Sequence, residues 1–244
     1  MGIKVPEITL KDKIYIKKDD ISITDLQNEF VYHIDETFAT TLAEEGDYYT
    51  LGIGCLNRVE ADKVIDLRVK NKLNTQVNFT AKLHPAQQRT LEKFKTETGE
   101  IGSGILKAKC GYGKSFVGTA LVCQVQEPTM ILCHTKLLQS QWVELFKSCT
   151  DYEPGIIGDG IYSPKEITIG LYISVYNKVE ELKSRYTRVI VDEVHRCGAE
   201  LFGNTLNHFE SYYKNGMSAT PNRRDGRHIL FPDYFTSLFV EAEE

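Results

Sequence analysis

Apolar residues follow two different patterns along this 244-residue chain. In the first 75 residues they alternate with polar residues over short stretches, which is typical of half-buried strands. The pattern predicts strands at residues 14–16, 21–24, 48–53 and 63–69, with a helix or a loop at residues 25–45. We therefore expect a small β-rich (α+β) domain at residues 1–75.

From Leu83 onward, continuous apolar runs alternate with amphipathic segments. The runs predict buried strands, and the amphipathic segments predict helices that cover both faces of a mostly parallel sheet. The predicted strands are residues 104–108, 129–133, 166–172, 188–191 and 212–217, and the predicted helices are residues 85–98, 115–125 and 136–147. Residues 70–82 are polar and typical of a linker. The second region, residues 76–244, is thus predicted to be an α/β domain.

A glycine-rich turn joins the first predicted strand of this region to the helix that follows. Residues 108–115 read AKCGYGKS, which is the phosphate-binding loop pattern with Ala108 in its first position. Gly111 and Gly113 allow the backbone to direct successive N–H groups at phosphate oxygens. Lys114 would reach the phosphates as a point charge, and the Ser115 hydroxyl would bind Mg²⁺. The predicted nucleotide-binding residues of the loop are Cys110, Gly111, Tyr112, Gly113, Lys114 and Ser115.

Two carboxylates follow the most apolar of the predicted strands, residues 188–191. They are Asp192 and Glu193, and the carboxyl end of a buried parallel strand is where α/β sheets bind ligands. Asp192 would hold Mg²⁺, and Glu193 would polarise the attacking water as a general base. Together with Lys114 they are the predicted catalytic residues. The phosphate loop and this acidic pair indicate a nucleotide-hydrolysing motor rather than a kinase or a transporter.

The net charge limits how widely the protein is expected to contact nucleic acid, and the cysteine pattern indicates the redox state of its thiols. The 29 Lys and Arg residues are outnumbered by 34 Asp and Glu residues, for a net charge of −5. Proteins that grip DNA over a wide surface are usually basic, so any nucleic-acid contact should be local. The six cysteines show neither C-x-x-C pairs nor zinc spacing, which predicts reduced thiols, mostly in the core. With no apolar signal segment and no run of 18 apolar residues, we expect a cytoplasmic protein that no membrane holds.

Three motifs in a fixed order resemble those of one family. The phosphate loop, DEVH at residues 192–195 and SATP at residues 218–221 are similar to superfamily 2 helicases, and most similar to the XPB and phage UvsW group. The resemblance implies a RecA-like domain that uses ATP and Mg²⁺ to unwind or branch-migrate duplex or branched DNA. It implies that His195, Ser218 and Thr220 couple hydrolysis to DNA movement. A member encoded by a bacteriophage would act in the bacterial host cytoplasm, in DNA repair, recombination or replication.

Two further segments extend the resemblance. Residues 83–88, LHPAQQ, resemble the family segment whose glutamine reads adenine, which implies that role for Gln87. A carboxamide can offer both a donor and an acceptor to the adenine edge. Residues 134–142, HTKLLQSQW, resemble the motif that touches the nucleic-acid backbone, which implies contacts from Thr135 and Lys136. We expect Trp142 in this motif to pack in the core rather than to stack on a base.

The resemblance leaves several alternatives open. Family members have a second RecA-like domain that supplies an arginine to the transferred phosphate. We expect that domain to be missing from this chain, so that the isolated chain hydrolyses ATP weakly or not at all. The alternatives are the motor subunit of a restriction system and a nucleotide-gated nucleic-acid-binding module without a complete hydrolysis cycle, and RNA is not excluded as the substrate. Residues 1–75 could bind DNA, or present a solvated face, through Lys17, Lys18, Arg58, Lys63, Arg68, Lys70 and Lys72.

Overall fold

The computed structural model describes residues 2–99, 102–196, 199–223 and 225–243. Within these ranges the chain forms a five-stranded sheet, a two-stranded hairpin and an eight-stranded sheet. The strands are β1 (Ile3–Leu10), β2 (Ile14–Lys17), β3 (Val31–Ile34), β4 (Thr37–Thr40), β5 (Ala43–Glu45), β6 (Tyr48–Leu51), β7 (Val59–Asp66), β8 (Gly104–Lys107), β9 (Thr129–Cys133), β10 (Gly155–Gly158), β11 (Ile161–Ser163), β12 (Ile167–Leu171), β13 (Arg188–Asp192), β14 (Tyr213–Ser218) and β15 (Phe239–Glu241). The helices are α1 (Ile23–Phe30), α2 (Pro85–Glu97), α3 (Lys114–Val125), α4 (Lys136–Cys149), α5 (Tyr172–Tyr176), α6 (Val179–Leu182), α7 (Ala199–His208) and α8 (Phe231–Phe235).

The smaller sheet has the strand order β5-β6-β2-β1-β7 among the described residues. Its neighbouring strands are antiparallel except for β1 and β7, which run parallel. Leu26 and Phe30 of α1 are fully buried against apolar residues of the sheet such as Ile14 and Ile16. This region is therefore β-rich with one packed helix, as the alternating pattern predicted.

The strand predicted at residues 21–24 is wrong, because α1 begins there. The Ser22 hydroxyl accepts a hydrogen bond from the backbone N–H of Thr24 at 3.2 Å and so caps the helix. A serine in this position satisfies an N–H group that has no partner within the helix, which favours a helix start over a strand. The following residues form the β3–β4 hairpin, so the stretch predicted as a helix or a loop contains a helix and strands.

The larger sheet has the order β11-β10-β12-β9-β13-β14-β8-β15 within the described ranges. Its neighbouring strands are parallel except at the β10–β11 hairpin. Every residue of β9 and β13 is buried, because one apolar core fills each face of the sheet. Helices α2 to α4 contribute to one core and α5 to α8 to the other. The predicted α/β fold with a mostly parallel sheet is confirmed.

The polar segment at residues 70–82 packs against the larger sheet and is not the linker that its composition suggested. Val77 is 1% exposed, and its N–H donates to Gln126 Oε1 at 3.0 Å. Phe79 forms a β-bridge with Thr150. Only four of these thirteen residues are apolar. They are enough to hold the segment in place, because its backbone groups find hydrogen-bond partners on the surface that it crosses.

The N-terminal part of the chain contacts the region of the larger sheet around the carboxylate of Asp233 in α8. Asp233 is fully buried and accepts hydrogen bonds from Tyr32, Thr41 and Arg58. Gly52 and Gly54 lie so close to α8 that an added Cβ would collide with the backbone carbonyls of Asp233 and Pro232 respectively. The two parts of the chain therefore meet through a close backbone contact and a buried charged cluster.

In the described ranges five cysteines form no disulfide, and each of them except Cys110 is buried. Cys197 lies outside the described residues. Among the helices described here, none combines the length and apolarity needed to cross a membrane.

Candidate nucleotide-binding site

The phosphate loop joins β8 to α3, as predicted. Gly111 and Gly113 have φ values of 79° and 87°, in the left-handed region that favours glycine. At Gly113 an added Cβ would lie 2.6 Å from Gln87 Nε2, so a larger residue would have to displace that side chain. Gly113 also precedes Lys114, the first residue of α3. The loop thus directs the positive end of α3 toward one space, which is the geometry that binds phosphate.

The remaining loop residues differ in exposure. Cys110 is exposed, and Ser115 is half-buried at the start of α3. Tyr112 is half-buried too, and its hydroxyl lies 2.6 Å from Thr90 Oγ1 of α2. The tyrosine therefore ties the loop to the preceding helix, and direct contacts of these residues with a nucleotide stay a prediction.

The acidic pair contacts the phosphate loop through an ion pair. Glu193 Oε1 lies 3.2 Å from Lys114 Nζ, and the two side chains are 19% and 8% exposed. Glu193 has a φ of 52°, which a residue with a side chain rarely adopts. Such a conformation costs about 1–3 kcal/mol and concentrates at functional sites. The general base predicted from the sequence is therefore held in a strained backbone next to the predicted phosphate-binding lysine.

Asp192 ends β13 and is 2% exposed. Burial raises the pKa of its carboxyl, and a hydrogen bond from the Trp142 indole opposes this rise. Trp142 Nε1 donates to Asp192 Oδ2 at 2.8 Å. Complete burial of Trp142 agrees with its expected place in the core. The sequence did not predict its polar contact, because no local pattern relates residues 50 positions apart. The one indication in the sequence was the indole N–H, which needs an acceptor when the ring is buried.

The DEVH and SATP sequences meet at the same edge of the sheet. His195 Nδ1 lies 2.7 Å from Ser218 Oγ and 3.3 Å from Glu193 Oε2. Arg223, which sequence reasoning did not assign to the site, donates from Nη1 to the backbone carbonyl of His195 at 3.3 Å. Thr220 is exposed two residues beyond Ser218. The structure therefore brings together two of the three predicted coupling residues, and the role of Thr220 stays a prediction.

Gln87 lies against the phosphate loop. Its Nε2 donates to the Tyr112 carbonyl at 2.9 Å, and its Oε1 accepts from the backbone N–H of His84 at 2.9 Å. The second bond is half of a capping box at the start of α2. Gln87 therefore lies next to the phosphate loop, at a position from which its carboxamide could reach the base of a nucleotide whose phosphates bind the loop. Reading adenine would require it to exchange one or both of these hydrogen bonds.

The two residues predicted to contact nucleic acid open α4. Thr135 Oγ1 accepts from the backbone N–H of Leu138 at 3.2 Å and caps the helix. The exposed Lys136 forms an ion pair with Asp159 in the turn after β10. Both residues reach the surface at the edge that carries the phosphate loop, and in this state each has a partner within the chain.

The basic residues proposed for the N-terminal region are largely paired with acids. The ion pairs are Lys18–Glu44, Arg58–Asp233, Lys63–Glu7, Arg68–Asp66 and Lys72–Glu127. The guanidinium of Arg68 and the ammonium of Lys70 also lie over the ring of Tyr212, at 4.0 Å and 4.2 Å from its centroid. These contacts leave few unpaired charges for a broad DNA-binding patch among the named residues, and Arg58 belongs to the buried cluster at Asp233. DNA binding by residues 1–75 and a solvated face both stay predictions.

Ser115 and Asp192 suit a magnesium ion bound together with phosphates. Mg²⁺ prefers oxygen ligands, and in nucleotide sites it takes one or two carboxylates and completes its shell with phosphates and water. The described part of the chain has no group of three or more His, Cys, Asp or Glu residues that could hold a metal. Asp192 and Ser115 therefore fit a Mg²⁺ ion whose remaining ligands would come from the nucleotide phosphates and water.

Comparison with known proteins identifies the family. Residues 80–223 match the family described as "Type III restriction enzyme, res subunit". The chain is 39% identical over 129 residues to the DNA 3'-5' translocase XPB2 of Sulfurisphaera tokodaii, covering 53% of this chain and 29% of that protein. It is 34% identical over 132 residues to the probable helicase D10 of Escherichia phage T5, covering 54% and 29% respectively. The chain thus spans about three tenths of the length of these relatives.

Solved structures extend the likeness to the N-terminal region. The UvsW helicase of bacteriophage T4 superposes with a TM-score of 0.69 at 16% identity, covering 99% of this chain and all of that one. A longer T4 UvsW structure gives a TM-score of 0.68, with this chain covering 57% of it. At this identity the likeness is one of fold, and it includes the smaller sheet. With the family match over more than half of its length, this chain belongs to the superfamily 2 helicase family that includes the restriction-enzyme res subunits.

Proposed function

We propose that the chain is the ATP-binding motor domain of a DNA helicase or translocase, which unwinds or branch-migrates duplex or branched DNA. The observation that carries the proposal is the 3.2 Å contact between Lys114 and Glu193. It joins the phosphate-binding lysine to the acid that would activate water. Both residues lie at the carboxyl edge of one parallel sheet, where α/β proteins bind ligands.

The ion pair supports a simple order of events. An incoming nucleotide would draw Lys114 onto its phosphate oxygens and release Glu193, because the phosphates offer the lysine more negative charge than one carboxylate does. Glu193 Oε1 could then accept a proton from the attacking water. Mg²⁺ held by Ser115 and Asp192 would neutralise charge on the transferred phosphate.

Changes at the nucleotide would pass to the rest of the motor through His195. Its Nδ1 faces both Ser218 Oγ at 2.7 Å and Glu193 Oε2 at 3.3 Å, so the two groups share one ring nitrogen. A change in the charge or position of Glu193 would therefore alter the hydrogen bond to Ser218, which ends β14. This supports a coupling role for His195 and Ser218, and by proximity in sequence for Thr220.

The substrate and the wider assembly are part of the proposal. DNA is favoured because one relative is named a DNA translocase, and Thr135 and Lys136 are the proposed backbone contacts. We propose residues 1–75 and 76–244 as the two domains, and a further RecA-like domain that completes the nucleotide site. The name of the matching family also favours the restriction-system motor subunit as a second candidate, which nuclease activity of the complete protein would distinguish. A role in DNA repair, recombination or replication would follow from a helicase of this group.

The test is Mg-ATP binding and turnover by the 244-residue chain, with and without branched DNA or an RNA of matched sequence. We expect Mg-ATP binding that Lys114→Ala abolishes and Lys147→Ala preserves, because Lys147 is a surface lysine paired with Glu153. Turnover should be close to background until the second domain is supplied, and should then rise with DNA. Absence of Mg-ATP binding would refute the proposal. Stimulation by RNA and not by DNA would overturn the assignment of substrate.

A further inference from the structure

Trp142 is the single tryptophan of the chain, and its ring is fully buried in α4. Its Nε1 donates to Asp192 Oδ2 at 2.8 Å. A buried indole N–H usually finds an acceptor. Here the acceptor is the carboxylate proposed to bind Mg²⁺, rather than a backbone carbonyl of the core.

The ring is confined on the side of the phosphate loop. An added Cβ at Gly118 of α3 would lie 2.7 Å from Trp142 Cη2 and 2.7 Å from Met217 Cε. The absence of a side chain at Gly118 thus lets the indole pack directly beneath the helix that begins with Lys114. A ring held between α3 and the ends of β13 and β14 has little freedom to rotate, so its N–H keeps a fixed direction.

A fixed donor determines how the carboxylate of Asp192 is oriented. A carboxylate held at one oxygen by a rigid ring cannot turn freely about its Cβ–Cγ bond. Groups that orient metal ligands in this way affect metal affinity strongly, although they do not touch the metal. We propose that Trp142 is a positioning residue of the nucleotide site, and that its indole N–H orients Asp192 for Mg²⁺ bound with the nucleotide. This inference rests on the proposed function, in which Asp192 takes part in Mg-nucleotide binding.

A hydrogen bond that served only the stability of the core would behave differently on mutation. Trp142→Phe removes the N–H and keeps an aromatic ring in the core. Tyr186→Phe is the matched control, because Tyr186 is also fully buried and its hydroxyl donates to Thr168 Oγ1 at 2.9 Å. That bond lies at the opposite end of β13 from Asp192. Both variants lose one buried side-chain hydrogen bond in the same domain.

The experiment measures binding of a non-hydrolysable ATP analogue to the 244-residue chain by calorimetry, in EDTA and across a Mg²⁺ titration. We expect Trp142→Phe to bind the analogue normally in EDTA and to need about 10- to 100-fold more Mg²⁺ to reach the tight complex. Tyr186→Phe should match the parent chain throughout. Equal Mg²⁺ dependence in Trp142→Phe and the parent would overturn the inference. If the parent itself fails to bind the analogue with Mg²⁺, the proposed function fails along with it.

A second readout uses the parent chain and does not depend on the folding of a variant. Because Trp142 is the single tryptophan, intrinsic emission excited at the indole band reports on this residue. We expect the emission of the analogue-bound chain to change as Mg²⁺ is added, with the same midpoint as the calorimetric titration. Emission that stays constant while Mg²⁺ tightens the complex would refute a link between the indole and the metal site.

Discussion

Replacing Lys214 by methionine should change how the stability of the chain responds to pH. Lys214 begins the buried part of β14 and is 1% exposed; its Nζ donates to the carbonyls of Leu206 at 2.8 Å and Asp12 at 3.3 Å. Burial lowers its pKa from 10.5 to about 7, with Arg68 and Lys13 lowering it further and Asp12 opposing. Between these two pKa values the unfolded chain holds a proton that the folded chain lacks.

The sign and size of the effect follow from that difference in bound protons. Stability rises with pH wherever the unfolded state binds more protons, by at most about 1.4 kcal/mol per pH unit for one group. From pH 7.5 to 9.5 the parent chain should therefore gain about 2–3 kcal/mol relative to Lys214→Met. Below the lowered pKa both states are protonated, so the two proteins should respond to pH in parallel.

Urea unfolding at pH 6.0, 7.5 and 9.5, followed by circular dichroism, measures this difference. Titration of other groups is common to both proteins and cancels in the comparison. Lys147→Met, at an exposed lysine, should follow the parent at each pH. Parallel pH dependence of the parent and Lys214→Met up to pH 9.5 would mean that the buried amine keeps its proton, and the reasoning from burial would be refuted.

Three further substitutions test contacts of the nucleotide site and of the buried cluster at Asp233. Gly113→Ala should weaken ATP binding and lower the melting temperature more than Gly111→Ala, since both residues have positive φ but the added Cβ meets Gln87 only at Gly113; equal effects would contradict this. Arg58→Ala should cost about 2 kcal/mol in urea unfolding by leaving the buried Asp233 with fewer donors, against less than about 0.5 kcal/mol for Lys63→Ala at an exposed pair. Ser218→Ala should leave nucleotide affinity within about twofold but reduce DNA-stimulated turnover of the complete protein, because it removes the hydrogen bond to His195; unchanged stimulation would argue against coupling through this pair.

The larger sheet could be predicted because its strands are buried on both faces. Strands β9 and β13 contain continuous apolar runs at residues 130–133 and 189–191, a pattern that a half-exposed strand does not produce. The β10–β11 hairpin escaped prediction because it contributes three or four residues a strand, although Gly158 and Gly160 mark its turn. In the smaller sheet β1 was missed, since Pro6 interrupts an otherwise alternating segment.

Some features of the site could likewise be predicted from short stretches of sequence, and others depend on contacts between distant elements. The phosphate loop and the acidic pair follow from short motifs whose geometry is fixed within a strand, a turn and a helix. The bond from Trp142 to Asp192 and the contact of Arg223 with His195 depend on packing between elements distant in sequence. Thr135 shows a further limit, because the same hydroxyl that a motif assigns to nucleic acid also serves as a helix cap.

The close contact between the smaller sheet and α8 has a mechanical consequence. A flexible linker transmits force only when it is fully extended. Gly52 and Gly54, in contrast, pack directly against the backbone of α8. Phe235 of α8 packs in turn against Gly216 of β14, where an added Cβ would lie 3.5 Å from the Phe235 ring. Strand β14 ends in Ser218. A force on the N-terminal part of the chain would therefore be transmitted through the buried Asp233 cluster, α8 and β14 to the nucleotide-binding edge of the larger sheet, without first stretching a flexible segment.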